Sequence, residues 1–113
     1  MDNVKSTLEE LKKVDKDVNI QDADGKTGLW LAASEGHLPV LEFLVSEGAN
    51  VDATDKDGQT GLMMASCYGH LSVCEYLISQ NCDVMIQYQG ATALAFAKQG
   101  GKEEIVALLK TQL

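Results

Sequence analysis

The chain has 113 residues, enough for one domain and too few for two; 45% of them are hydrophobic and only 5% are aromatic. Its net charge is −8, and all nine basic residues are lysine, so it lacks arginine, the side chain that grips phosphates and guanine in a bidentate manner. This balance argues against nucleic-acid binding, and no apolar run approaches the roughly 20 residues that a membrane span requires.

The remaining composition favours a reducing compartment. The N-terminal residues are polar and lack the apolar segment of a secretory signal peptide. The chain has an odd number of cysteines, Cys67, Cys74 and Cys82, and their spacing is unlike that of zinc ligands. We therefore expect free and mostly buried thiols, no metal, no cofactor, and a cytoplasmic or nuclear location.

The first predicted element is a helix over residues 6–14. Ser6 and Glu9 have the spacing of a capping box, and Leu8 and Leu11 stand 33 residues before two apolar positions of a later helix. Too few residues precede Ser6 to form a second helix. Residues 1–21 are therefore expected to form a partial N-terminal capping unit.

From residue 22 onward the sequence repeats with a period of 33 residues. The recurring positions of the first copy are Asp22, Gly25, Thr27, Leu29, Ala32 and Gly36-His37-Leu38, and those of the second are Asp55, Gly58, Thr60, Leu62, Ala65 and Gly69-His70-Leu71. A third copy, shifted by 32, has Gly90, Thr92, Leu94, Ala97, Gly101 and Ile105. A repeat of this length indicates a stacked array. We place its units at residues 22–54, 55–86 and, as a C-terminal capping unit, 87–113.

Each unit contains two segments of helical periodicity. In the first unit, Leu29, Ala32 and Ala33 share one face of a short inner helix, and Gly36 separates it from an outer helix. The apolar residues of that outer helix are Val40, Leu41, Leu44 and Val45. The aspartates of the polar connectors have the spacing of turn caps rather than of a calcium loop.

The recurring turn and inner helix resemble the ankyrin repeat, whose pattern reads Asp-x-x-Gly-x-Thr-Pro-Leu-His-x-Ala. The resemblance covers residues 18–109, with 6–17 as a partial cap. It implies an all-α solenoid of stacked helix-turn-helix units with projecting turns. It also implies no enzymatic activity, and binding of a protein partner through the concave inner-helix face and the turn tips. His37 and His70 match the family's Gly-His turn between helices, which favours a structural role for both.

The sequence departs from the family pattern where each inner helix begins. Thr-Pro-Leu-His becomes Thr27–Trp30, Thr60–Met63 and Thr92–Ala95. Glycine in place of proline leaves the unfolded chain freer and costs on the order of 0.4–1 kcal/mol per site. Trp30 and Met63 occupy the histidine position. They either pack against neighbouring turns or form a hydrophobic anchor for a partner, since tryptophan is common among interface hot spots.

The partner-facing positions implied by the resemblance lie in the turns and inner helices. They are Asp24, Lys26, Trp30, Ser34, Glu35, Lys56, Asp57, Gln59, Met63, Cys67, Tyr68, Tyr88 and Gln89. In the third turn one residue is missing near Ile86–Gln89. Most of the negative charge lies in residues 1–57, so we expect a protein partner with basic and apolar residues. We also expect the chain to be a monomer and to act as an adaptor or scaffold. The alternative is a small inhibitor or assembly chaperone that blocks one enzyme or complex.

Asn19 is a candidate for modification. Some ankyrin-repeat proteins are hydroxylated on an asparagine late in the turn. The segment from Leu11 to Asn19 resembles the preferred target: leucine, five residues, an acid, an apolar residue and asparagine. The alternative is that Asn19 only hydrogen-bonds within its turn.

Overall fold

The computed structural model of the chain describes residues 17–113. The predicted helix over residues 6–14, its capping box and Leu11 lie outside this range. The described part contains six helices. They are α1 (Gly28–Glu35), α2 (Leu38–Ser46), α3 (Gly61–Tyr68), α4 (Leu71–Ser79), α5 (Ala93–Gln99) and α6 (Glu103–Lys110). None of them is long and apolar enough to cross a membrane.

The helices form three successive pairs, one within each of the ranges 22–54, 55–86 and 87–113. The inner helices α1, α3 and α5 pack side by side, and the outer helices α2, α4 and α6 lie against them. Residues 17–113 contain isolated β-bridges but no strand. The all-α stacked architecture predicted from the repeat is confirmed.

The inner helices begin at threonines that keep an extended backbone. Thr27 Oγ1 accepts a hydrogen bond from the Trp30 backbone N–H at 3.2 Å, and Thr60 Oγ1 accepts one from the Met63 N–H at 3.2 Å. Each bond satisfies a donor that a helix start would otherwise leave free. The repeated threonine therefore fixes where α1 and α3 start.

The core contains the main apolar positions that the repeat predicted. Leu29, Leu41 and Leu44 are fully buried in the first pair, and Cys74 and Leu77 in the second. Ser66 is buried as well, and its hydroxyl lies 3.7 Å from the Cys74 sulfur. Most of the stabilisation therefore comes from helices stacked on the next unit, because each helix is only seven to nine residues long.

In the third pair, two lysines occupy positions that hold small or apolar residues in the first two pairs. Lys98 is exposed at the position that the earlier units fill with the buried residues Ala33 and Ser66. Lys110 is exposed at the position of the half-buried Ile78. Stacking another unit on this end would desolvate two ammonium groups, which is costly.

We expect Gly28→Pro and Gly61→Pro each to raise the midpoint of thermal unfolding. Both glycines occupy the first helical position, and the preceding Thr27 and Thr60 have ψ values of 169° and 164°, which a following proline favours. The gain is on the order of 0.4–1 kcal/mol, from a less flexible unfolded chain. At Gly61 a Cβ would lie 3.0 Å from the Ala33 Cβ, so Ala33 must shift.

The midpoints are measured by thermal melts of the two single variants and the wild type, followed by circular dichroism. A lower midpoint for Gly28→Pro would contradict the assignment of residue 28 to the first helical position.

Candidate interaction surface

The first two turns are each held by one aspartate. The Asp22 carboxylate accepts backbone N–H groups of Asp24 and Lys26, both at 2.9 Å. Asp55 does the same for Asp57 at 3.0 Å and Gln59 at 2.9 Å. These carboxylates act as turn caps, as their spacing predicted.

The first and second turn tips contact each other directly. The Lys56 backbone N–H donates to the Asp24 carbonyl oxygen at 3.0 Å, and the Lys56 ammonium lies 3.5 Å from the Asp24 carboxylate. Gly25 allows this approach, because a Cβ there would lie 2.6 Å from the Lys56 nitrogen. The ion pair is exposed and contributes at most about 1 kcal/mol. Two predicted partner-facing residues, Asp24 and Lys56, therefore already bind each other.

The third turn tip is built differently. Tyr88 and Ala91 exchange two backbone hydrogen bonds of 2.9 Å around a two-residue turn. Its central residues, Gln89 and Gly90, have φ values of 50° and 79°, as a tight hairpin turn requires. The missing residue thus shortens the tip, and Tyr88 stands where the other turns have their capping aspartate. The Tyr88 ring packs against Phe96, with ring centroids 6.2 Å apart.

Of the two alternatives for Trp30 and Met63, the burial of both side chains favours packing against neighbouring turns over a hydrophobic anchor. Trp30 is 5% exposed and Met63 1%. The Trp30 indole N–H donates to the Gln59 carbonyl oxygen at 2.9 Å, and the Lys26 ammonium lies 4.8 Å from the centroid of the indole ring. The Met63 sulfur accepts the Thr60 backbone N–H at 3.4 Å. Both side chains therefore tie a helix to a turn, and neither offers area to a partner.

What remains exposed lies at the last turns of the inner helices. Tyr68, at the end of α3, is 57% exposed and its ring lies 6.4 Å from that of His70. Glu35 holds the equivalent position at the end of α1 and lies 3.1 Å from the His37 ring. Ser34 and Cys67 are half-buried beside them. Together with Asp57 and Gln89 at the tips, these residues form the inner surface, the name used below for Ser34, Glu35, Asp57, Cys67, Tyr68 and Gln89.

His70 makes structural contacts between two units. His70 Nε2 lies 3.0 Å from the Ser34 carbonyl oxygen, to which it donates in the tautomer protonated at Nε2. Its ring fills the space above Gly36, where a Cβ would lie 2.6 Å from Nδ1. This contact joins the first unit to the second.

Two of the three thiols are held in the neutral form. Burial raises the pKa of Cys74 to about 11 against a smaller opposing effect of Ser66, and burial together with Asp52 raises that of Cys82 to about 12. The thiolate is the nucleophilic form, so neither cysteine is activated near neutral pH. Within residues 17–113, no three histidine, cysteine or acidic side chains converge on a common point as metal ligands would.

Asn19 joins two units. Its side-chain oxygen accepts the Asn50 backbone N–H at 2.7 Å, and its amide nitrogen lies 3.5 Å from the Gly48 carbonyl oxygen. Asp52 repeats the first contact one unit later by accepting the Asp83 N–H at 2.7 Å. Asn19 thus bonds beyond its own turn, and its hydroxylation stays a prediction.

Sequence reasoning missed Met85, which is 54% exposed. It stands at the position of Asn19 and Asp52, so the change from a bonding polar residue to an apolar one was a signal in the repeat itself.

Comparison with known families agrees with this architecture. The family model for ankyrin repeats, which comprises three copies, matches residues 1–88. A search of curated proteins finds no match.

Proposed function

The chain belongs to the ankyrin-repeat family, and we propose that it acts as an adaptor that binds one protein partner through the inner surface. Ankyrin repeats are generally protein–protein interaction modules, which is the general function of this chain. The proposal adds the surface, the chemistry of the partner and the adaptor role.

The exposure of Tyr68 carries this proposal. An exposed tyrosine offers apolar area together with a hydroxyl group, and such residues are enriched at protein interfaces. Its ring stands on a rigid base, because His70 beside it is fixed on the Ser34 carbonyl. Little conformational entropy is therefore lost when a partner packs on it.

Charge indicates which partner fits. The net charge of the chain is −8, and Glu35 and Asp57 are exposed acids of the inner surface. Lys56 is engaged with Asp24, and Lys26 lies over the Trp30 ring. A segment with basic and apolar side chains complements this surface and is drawn to it electrostatically.

We expect Tyr68→Ala to weaken partner binding by more than about 1 kcal/mol, while Glu104→Ala on α6 leaves it unchanged. Affinity capture with the wild-type chain identifies the partner, and calorimetric titration of both variants measures the loss. Because Tyr68 is largely exposed, its truncation leaves the unfolding midpoint nearly unchanged, which separates binding from stability. The reverse ranking of the two variants would place the partner on the outer helices.

A further inference from the structure

Within residues 17–113, the row of turn tips is continuous only between the first and second units. There Lys56 donates its backbone N–H to the Asp24 carbonyl and pairs its ammonium with the Asp24 carboxylate. The backbone of Lys56 also fills the space next to Gly25, where a Cβ would lie 2.6 Å from the Lys56 nitrogen.

The corresponding junction between the second and third tips has none of these contacts. The second-tip residue equivalent to Asp24 is Asp57, and in the third tip the neutral Gln89 alone stands in place of Lys56 and Asp57. Among residues 17–113, no backbone N–H reaches the Asp57 carbonyl oxygen and no lysine lies within ion-pair distance of its carboxylate.

The space at this junction is open. Gly58 is equivalent to Gly25, has a similar φ of 92°, and would meet no atom within 4 Å if it carried a Cβ. The third tip is shorter than the first two, because a two-residue turn between Tyr88 and Ala91 stands in place of the longer aspartate-capped turn. We name the open space beside Asp57 and Gly58 the tip notch; in the third tip, Gln89 stands in place of Lys56 and Asp57.

We infer that the tip notch receives an extended segment of the partner, with a lysine or arginine side chain on the Asp57 carboxylate and a backbone N–H on the Asp57 carbonyl. This inference rests on the proposed function and specifies where the basic residue of the partner binds. The first two tips show the geometry, since Lys56 makes both contacts to Asp24. A basic residue of the partner supplies to Asp57 the positive charge and the backbone N–H that Gln89 does not supply.

The charge balance selects this occupant over an acidic or purely apolar one. Asp57 is exposed and, within the described part of the chain, is left unneutralised at a junction whose counterpart is neutralised. A cation therefore gains a charge-assisted hydrogen bond there without displacing an existing lysine.

The test uses phage-displayed random dodecapeptides selected on the folded wild-type chain, and the selected pool is the probe. We expect the pool to be enriched in peptides with lysine or arginine, and its affinity to fall up to about fivefold on Asp57→Asn, the effect of an exposed ion pair. Gln89→Lys should lower it as well, because the new ammonium competes for Asp57. Glu104→Gln removes the same charge on α6 and should leave binding unchanged.

A larger change fills the notch. Replacing Tyr88–Gly90 by a copy of Asp55–Gly58 restores the longer tip and should abolish binding of the pool, with circular dichroism confirming the fold. Asp57→Asn needs no such folding control, since the Asp57 carboxylate makes no hydrogen bond or ion pair within residues 17–113.

The outcomes separate this inference from the proposed function. A pool that is indifferent to Asp57→Asn but weakened by Tyr68→Ala overturns the tip notch and keeps the inner surface. A pool that is indifferent to both and weakened by Glu104→Gln overturns both proposals. A library that yields no binders, or binders without basic residues, overturns the tip notch alone, because capture of a folded partner tests the inner surface independently.

Discussion

Trp30→Ala is expected to lower the free energy of unfolding by about 3–5 kcal/mol, the usual cost of truncating a buried tryptophan. The side chain is 5% exposed and lies between α1 and the second turn. Its removal leaves a cavity, deletes the hydrogen bond to the Gln59 carbonyl, and removes the ring beneath the Lys26 ammonium. The change therefore weakens the junction between the first and second units.

Trp30→Phe separates packing from hydrogen bonding. It keeps most of the apolar volume and loses the indole N–H, and the Gln59 carbonyl still accepts the Asp55 backbone N–H at 2.9 Å. We expect a loss of about 0.5–1.5 kcal/mol from the missing bond. Urea unfolding followed by far-ultraviolet circular dichroism gives both values. A loss below about 1 kcal/mol for the alanine variant, together with abolished partner binding, would restore the anchor interpretation of Trp30.

Gly25→Ala is expected to destabilise the chain by at least about 1 kcal/mol more than Gly58→Ala. Both glycines have positive φ, 78° and 92°, so each alanine carries the same cost of roughly 1–2 kcal/mol for the left-handed conformation. Only at Gly25 does the new methyl group collide with backbone, 2.6 Å from the Lys56 nitrogen. The first two tips must then separate and lose their 3.0 Å hydrogen bond.

The matched pair makes this comparison direct, because the two residues occupy the same position of successive units. Equal unfolding midpoints in parallel melts would mean that the tips are not in contact in solution, and would remove the contrast on which the tip notch depends.

The helices and the core could be predicted because the repeat overdetermines them. Leu29, Ala32 and Ala33 share a face in one unit, and the same spacing recurs at Leu62 and Ala65 with its threonine and glycine boundaries. A period of 33 residues brings equivalent faces into contact whatever the details of each side chain. The family match over residues 1–88 rests on the same regularity.

The candidate surface was less predictable because it depends on contacts between residues of different units. The sequence left open whether Trp30 packs against a turn or is exposed, since nothing in it shows that the indole reaches the Gln59 carbonyl 29 residues away. The deletion in the third turn was visible in the sequence, but the absence, within residues 17–113, of a backbone hydrogen bond to the Asp57 carbonyl oxygen was not. Likewise, Lys56 is a surface lysine by sequence and a partner of Asp24 only in three dimensions.

The position of Trp30 has an optical consequence. It is the only tryptophan in the chain, and its indole crosses from the first unit to the second. Its fluorescence therefore reports opening of that one boundary, whereas helical ellipticity averages over all units. If the array unfolds unit by unit, as short solenoids can, the two signals will change at different urea concentrations. If it unfolds as one cooperative block, they will coincide, and the emission of one residue will measure the stability of the whole chain.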